Sequence, residues 1–135
     1  MSDYQLKREK SYLLPQAVYR QALYAVKDLT RLKKKLLYLE YDASNIIAAD
    51  PASLLSKGGS VSDMTGNRAA ELALTETRIR AIESAFENVP DKYRNGLKDK
   101  IIHDVPAARL GYSVNTWKKW QQVLLYHVAQ NLKLL

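Results

Sequence analysis

Residues 103–120 read HDVPAARLGYSVNTWKKW, and their order predicts a very short helix, a tight turn and a longer helix. Asp104 is a candidate helix cap, and the fixed φ of Pro106 suits the first turn of a helix. Gly111 can adopt the left-handed conformation that ends a helix, and Ser113 is a favourable N-cap for the next one. We therefore expect two helices joined at a tight corner.

Side chains of this corner are expected to divide between the core and solvent. Ala107 must be small where two helices cross closely, and Leu110 is expected to seal the core. On the inner face of the longer helix we expect Val114, Trp117, Gln121, Leu124 and Val128. The outer face carries Asn115, Thr116, Lys118, Lys119 and Gln122. Amides and hydroxyls can reach base edges while lysines neutralise phosphates, so this division is typical of a recognition helix.

A shorter helix is predicted directly before the corner. Pro90 suits its first turn, and Asp91 lies near the positive end of its dipole. Leu97 and Ile101 lie four residues apart and share one face, and we expect the helix to end near His103.

Positive charge is concentrated in the last third of the chain. The whole chain carries 21 Lys+Arg and 14 Asp+Glu, a net charge of +7. Residues 90–135 contain 8 basic and 3 acidic residues, and no acidic residue occurs between Val105 and Leu135. A folded basic block is expected of a phosphate-binding surface, although lysines that keep a face solvated give the same composition.

The rest of the chain predicts long helices and no strands, so the expected fold class is all-α. A first helix from about Pro15 to Tyr41 carries an apolar heptad seam: Val18, Ala22, Ala25, Leu29, Leu32, Leu36 and Leu39. A second helix from about Asn67 to Asn88 repeats the pattern: Leu72, Thr75, Ile79, Ile82, Phe86 and Val89. The two seams can pack as an antiparallel hairpin, or each can pair with its copy in a dimer.

The chain is expected to have three segments. Residues 1–52 hold the long N-terminal helix as a scaffold or oligomerisation element, and residues 53–67, rich in Gly, Ser, Asp and Thr, form a linker. Residues 68–135 hold the second long helix and the corner. We expect a homo-oligomer whose copies meet through Val18, Leu29, Leu32, Leu36 and Leu39.

Four tyrosines, at positions 19, 24, 38 and 41, lie on the first predicted helix together with Lys33, Lys34 and Lys35. They could form an aromatic and cationic platform for nucleic acid. Tyrosines at helical spacing more often cap a core or a subunit interface, and we favour that interpretation. We expect the lysine run to be a solvated helix face.

Several functional classes are excluded or disfavoured by composition. The chain has no cysteine, which excludes disulfides and cysteine-based catalytic or metal sites. His103 and His127 have no carboxylate at ligand spacing, and no phosphate-binding loop or nucleophile motif occurs. No secretory signal or membrane-spanning stretch is recognisable. We therefore expect a cytoplasmic protein that is not an enzyme and needs no metal or cofactor.

Residues 89–135 resemble the fourth-region DNA-binding domain of bacterial sigma factors and their small relatives. The resemblance lies in the Val-Pro start at residues 89–90, the corner Pro106-Ala107-Ala108-Arg109-Leu110-Gly111-Tyr112-Ser113 and the basic helix that follows. The whole layout is similar to small phage and prophage transcriptional regulators of the RinA and ArpU type. Two features depart from the pattern: Pro106 replaces an acidic-aliphatic pair, and Trp117 and Trp120 are bulkier than the usual residues.

The resemblance implies a sequence-specific, double-stranded DNA-binding regulator that activates transcription, with RNA polymerase as a further candidate partner. It matches Asn115, Thr116, Lys118 and Lys119 to DNA-facing positions. The full set of expected DNA contacts is Lys92, Arg94, Arg109, Ser113, Asn115, Thr116, Lys118, Lys119 and Gln122. Two alternatives are a phage small terminase subunit and a helical adaptor that binds no DNA.

Overall fold

The computed structural model describes residues 5–6, 10–48 and 59–135, with only the backbone described for 43–48 and 59–65. Over these residues the chain forms five α-helices and no strand. They are α1 (Gln16–Lys27), α2 (Leu29–Ala48), α3 (Gly59–Phe86), α4 (Asp91–Ile102) and α5 (Val114–Asn131). Two short 3-10 turns span Lys10–Tyr12 and Ala107–Arg109. The expected all-α fold class is confirmed.

The single helix expected from Pro15 to Tyr41 is two helices in the structure. Pro15 directly precedes α1, as its fixed φ predicts, but a break at Asp28 separates α1 from α2. The Asp28 N–H still donates to the Tyr24 carbonyl at 2.9 Å, while a ψ of −2° departs from regular helix. Aspartate is a weak helix former because its side chain competes for backbone N–H groups. The second helix then continues past Tyr41 to Ala48.

α3 begins earlier than the sequence predicts. It starts at Gly59, inside the stretch 53–67 that we expected to be a linker, and ends at Phe86. Residues 53–58 lie outside the described residues. No proline occurs between residues 59 and 86, so every residue of this stretch has a backbone N–H that can join the helix.

Residues 31–79 form one of two compact units. Within this unit, two ion pairs join α2 to α3. Lys35 Nζ lies 2.7 Å from Glu71 Oε1, and Arg68 pairs with Asp42. The later residue of α2 thus pairs with the earlier residue of α3, which is the order expected of antiparallel helices.

The second compact unit contains the described residues of 1–30 and 80–135. Its central element is α5, which packs against α1 and α4. Its largest fully buried apolar side chains come from these helices, from α3 and from the turn after α3: Tyr19, Val26, Ile82, Val89, Leu97, Trp117, Leu124, Leu125 and Val128. The middle of α5 is therefore core, and its first turns and its last two residues, Gln130 and Asn131, reach solvent.

Both heptad seams are largely buried. In the first seam the buried residues are Ala22, Ala25, Leu29, Leu32 and Leu39, while Val18 and Leu36 are half-buried. In the second, Thr75, Ile79, Ile82, Phe86 and Val89 are buried, and Leu72 is half-buried. Three of the five residues expected at a contact between copies, Leu29, Leu32 and Leu39, are thus covered within one chain. A second copy is not needed to cover them.

The segment before α1 lies against α5, a contact that the sequence did not predict. The Gln5 side chain exchanges two hydrogen bonds with the Leu14 backbone, each of 2.9 Å. The Gln122 amide does the same with the Leu6 backbone: its oxygen accepts from Leu6 N at 2.7 Å and its nitrogen donates to Leu6 O at 3.2 Å. Glutamine side chains thus replace backbone partners and hold this segment in place.

Candidate nucleic-acid interface

The chain leaves α4 through a turn that differs from the sequence prediction. The backbone N–H groups of His103 and Val105 both donate to the Asp99 carbonyl, at 3.1 and 3.0 Å. Asp104 has a φ of 54° and does not cap the next helix, contrary to our expectation; its carboxylate lies 3.8 Å from Lys27 Nζ. Aspartate tolerates this left-handed conformation better than most residues do.

The short helix expected at Ala107–Leu110 is a single 3-10 turn. It is held by hydrogen bonds from Arg109 N to Pro106 O, at 2.9 Å, and from Leu110 N to Ala107 O, at 3.1 Å. Pro106 supplies no N–H donor and Gly111 reverses the chain, so no room remains for a full α-helical turn. Ala107 and Leu110 are only half-buried, so neither has the core role that we expected.

Two expectations about the turn before α5 are confirmed. Gly111 adopts a φ of +73°, and the Ser113 hydroxyl accepts from Thr116 N at 3.2 Å as the N-cap of α5. The two hydroxyls of Ser113 and Thr116 also lie 2.8 Å apart in a hydrogen bond. Tyr112, between the glycine and the cap, has a φ of +56°, a backbone conformation that is energetically unfavourable for a residue with a Cβ. The start of α5 is therefore fixed in place.

Trp117 connects α4, the corner and α5. Its indole is buried, and its Nε1 donates to the Gly111 carbonyl at 2.7 Å. The ring lies against Gly96 of α4, where an added Cβ would come within 2.2 Å of Cη2. The close approach that we expected at Ala107 is therefore at Gly96, and Trp117 is core.

Two of the expected DNA-binding lysines lie over the rings of an aromatic cluster. The Tyr93 and Trp120 rings are stacked 5.5 Å apart, and Tyr112, which is 57% exposed, meets Tyr93 edge-on at 4.9 Å. Lys92 Nζ lies 5.1 Å from the Tyr93 ring centre, and Lys119 Nζ lies 4.9 Å from that of Trp120. These distances are those of cation-π contacts. The rings of Tyr93, Tyr112 and Trp120 thus bring Lys92 and Lys119 to the same part of the surface.

Lys118 faces a groove between the end of α4 and the start of α5. The groove has a volume of about 420 Å³ and is lined by Lys100, Asp104, Val105, Pro106, Ala107, Val114 and Lys118. On the inner side of the groove, Lys100 Nζ donates to Gln121 Oε1. Burial of the ammonium, with the nearby charges of Lys118 and Lys27, holds the pKa of Lys100 below its usual value.

Two residues expected to contact DNA use their side chains to bond to backbone groups of the protein instead. Gln122 is fully buried and bonded to Leu6, so it is not on the outer face of α5. Arg94 Nε donates to the carbonyls of Phe86 and Val89 at 2.9 and 2.8 Å and thereby caps the end of α3. Both polar groups satisfy backbone partners that the sequence pattern could not reveal.

Val114, expected to face inward, is instead exposed.

The other expected contacts lie at the surface around the corner. Lys92, Arg109, Ser113 and Asn115 are exposed, while Thr116, Lys118 and Lys119 are half-exposed. Sequence reasoning missed Lys100 and Lys27. A signal for Lys100 existed, because it follows Leu97 by three residues and so shares the buried face of α4.

Comparison with protein families, curated proteins and solved structures finds no match. The resemblance to sigma factors therefore depends on residues 89–135 alone. Within the described residues, no group of three His, Cys, Asp or Glu side chains could hold a metal ion, and no helix is long and apolar enough to cross a membrane.

Proposed function

We propose that the chain is a sequence-specific DNA-binding transcriptional regulator whose helix-turn-helix unit is α4, the corner and α5. The observation that carries the proposal is a cationic and amide surface at one corner, formed by the exposed Lys92, Arg109 and Asn115 and the half-exposed Lys118 and Lys119. No acidic residue follows Asp104 in the sequence of α5 and its approach. Such a surface is complementary to the DNA backbone.

The first turns of α5 are the recognition element in this proposal. Asn115 and Thr116 would face base edges, and Lys118 and Lys119 the flanking phosphates. The buried part of α5 and the cap at Ser113 hold the backbone of these residues in place, so binding requires ordering of side chains but not of the helix. The N-terminus of α5 adds a partial positive charge on the same side.

A homo-oligomer would let two corners bind two half-sites. The support for this part is the exposed apolar surface of α2, where Leu37, Tyr38 and Tyr41 are each mostly exposed. In the proposed architecture, α2 and α3 form a hairpin that joins copies, and the helix-turn-helix unit binds DNA. Activation of phage or prophage genes and contact with RNA polymerase follow from the resemblance alone.

The test is selection of bound duplexes from a random-sequence pool at moderate salt, with the protein's mass followed by light scattering. We expect enrichment of one sequence and an affinity that falls steeply with salt. Equal affinity for all duplexes would overturn the regulator. A ring-sized mass with DNA binding would favour the terminase subunit, and no binding even at low salt would favour the helical adaptor.

A further inference from the structure

We propose that Lys100 and Lys118, which line the groove between the end of α4 and the start of α5, form a binding site for a phosphate group together with Lys27, which lies beside the groove and 3.8 Å from Asp104. The proposal does not depend on DNA binding, because the phosphate can belong to a free ligand or to a nucleic-acid backbone. None of the expected DNA contacts included Lys27 or Lys100.

The shape of the groove suits a phosphate group with a small body attached. Val105, Pro106, Ala107 and Val114 form apolar walls, and Lys100 and Lys118 line the same space. The volume of about 420 Å³ falls in the range of small-ligand sites, about 300 to 1,000 Å³. A phosphate between the lysines would leave room beside it for a sugar or another small group.

The charges in the groove favour an anion. Lys100 is half-buried, and burial and the charges of Lys118 and Lys27 lower its pKa. Within the described residues its one hydrogen-bond partner is Gln121 Oε1, and no carboxylate pairs with it. Gln121 is itself held by donating to the Tyr19 hydroxyl at 3.1 Å. The charges of Lys118 and Lys27 near this partly buried ammonium give the groove a positive potential, which favours an anion beside Lys100.

Asp104 is the acidic side chain that lines the groove. It lies 3.8 Å from Lys27, and its side chain is 80% exposed. Solvent therefore screens its charge, and the three lysines with this carboxylate leave a net charge of +2. Removing the Asp104 charge is expected to strengthen phosphate binding, which gives a variant whose effect is opposite to that of losing a lysine.

The experiment follows lysine ¹³Cε resonances of the full chain during titration at constant ionic strength. One arm adds inorganic phosphate, and the other adds a short duplex of arbitrary sequence. The Lys100 resonance is assigned with Lys100→Met. In at least one arm we expect this resonance to move and its titration to shift to higher pH, because an anion favours the charged form. Lys98 of α4, whose ammonium lies over Phe86, serves as the internal reference.

Variants separate the site from general charge effects. Lys100→Met should weaken phosphate binding by about tenfold, the loss expected for a charge-assisted hydrogen bond. Lys98→Met should leave it unchanged, and Asp104→Asn should strengthen it by up to about fivefold. Asp104 is exposed, so this variant tests the site even if Lys100→Met folds poorly.

Each outcome decides one question. A response to inorganic phosphate indicates a site for free phosphate groups, and a response to the duplex alone indicates a backbone phosphate. A response to phosphate without selection of any duplex would support the site and overturn the regulator. No response of Lys100 in either arm, or equal effects of Lys98→Met and Lys100→Met, would overturn the site.

Discussion

Gly96 of α4 lies against the indole of Trp117 in α5, so closely that a Cβ at Gly96 would be 2.2 Å from Cη2 and 2.7 Å from Cζ3. The same indole donates to the Gly111 carbonyl at 2.7 Å. One side chain thus sets how α4 approaches α5 and also holds the turn before α5. The position of the proposed recognition surface depends on this contact.

Gly96→Ala should therefore destabilise the fold by about 1 to 3 kcal/mol, the usual cost of overpacking a core. Gly66→Ala is the matched control, because a Cβ there meets nothing within 4 Å and alanine is the better helix former. Thermal unfolding followed by circular dichroism should show a lower Tm for the first variant and an unchanged or higher Tm for the second. Equal Tm values would mean that Trp117 moves aside at little cost.

Periodic apolar residues made the helical fold predictable from the sequence. Leu29, Leu32 and Leu39 are buried as their spacing predicts, because burial of one helix face depends on local sequence order. The cap at Ser113 and the left-handed Gly111 were predictable for the same reason. Each depends on residues within one turn of the chain.

Two side chains expected to contact DNA instead bond to backbone groups that the sequence pattern does not reveal. Gln122 was assigned to the outer face, but Leu6, 116 residues away, bonds to it. Arg94 was assigned to DNA, but its Nε donates to the carbonyls of Phe86, at the end of α3, and Val89, in the turn that follows. Lysine and arginine on a helix surface have the same local pattern whether they meet solvent, phosphate or backbone, so tertiary structure decides.

Gly111 is required by its backbone conformation, since an added Cβ meets no atom within 4 Å. Gly111→Ala should cost about 1 to 2 kcal/mol, the penalty of left-handed φ for a residue with a side chain. Gly111→Asn should cost less, because asparagine tolerates this conformation. Chemical denaturation of both variants measures the difference. Equal losses would indicate that the carbonyl bonded to Trp117, rather than φ, is the sensitive feature.

Arg94→Gln should lower stability by about 1.5 kcal/mol or more, because charge-assisted bonds to two carbonyls are lost. Lys92→Gln should change stability by less than about 0.5 kcal/mol, since Lys92 is exposed. In duplex binding the order should reverse: Lys92→Gln should reduce the salt dependence, and Arg94→Gln should leave it unchanged. A reduced salt slope for Arg94→Gln would restore Arg94 as a DNA contact.

Lys118→Ala and Lys119→Ala should each weaken binding to all duplexes and reduce the slope of log K against log salt by about 1. Asn115→Ala should instead relax preference at one base pair, by about 1 to 3 kcal/mol, if it contacts a base. Titrations of the selected duplex and its single-base variants measure both effects, with circular dichroism as the folding control. Identical behaviour of the three variants would show that the recognition face lies elsewhere.

Lys100 should make stability depend on pH in the alkaline range. Its pKa in the folded chain is below the ordinary value of 10.5. At a pH between the folded and the unfolded pKa, the unfolded chain therefore binds more protons than the folded chain does. Stability therefore rises with pH across that window, and the full cost of the buried charge is present below the folded pKa.

Lys100→Met should remove this dependence. It also removes the donor to Gln121 Oε1, a loss that does not depend on pH and shifts all values equally. The free energy of unfolding of the variant minus that of the wild type should thus decrease as pH rises toward 10.5. Lys98→Met corrects for the loss of a lysine from α4. A difference that stays constant from pH 7 to pH 10.5 would contradict the lowered pKa.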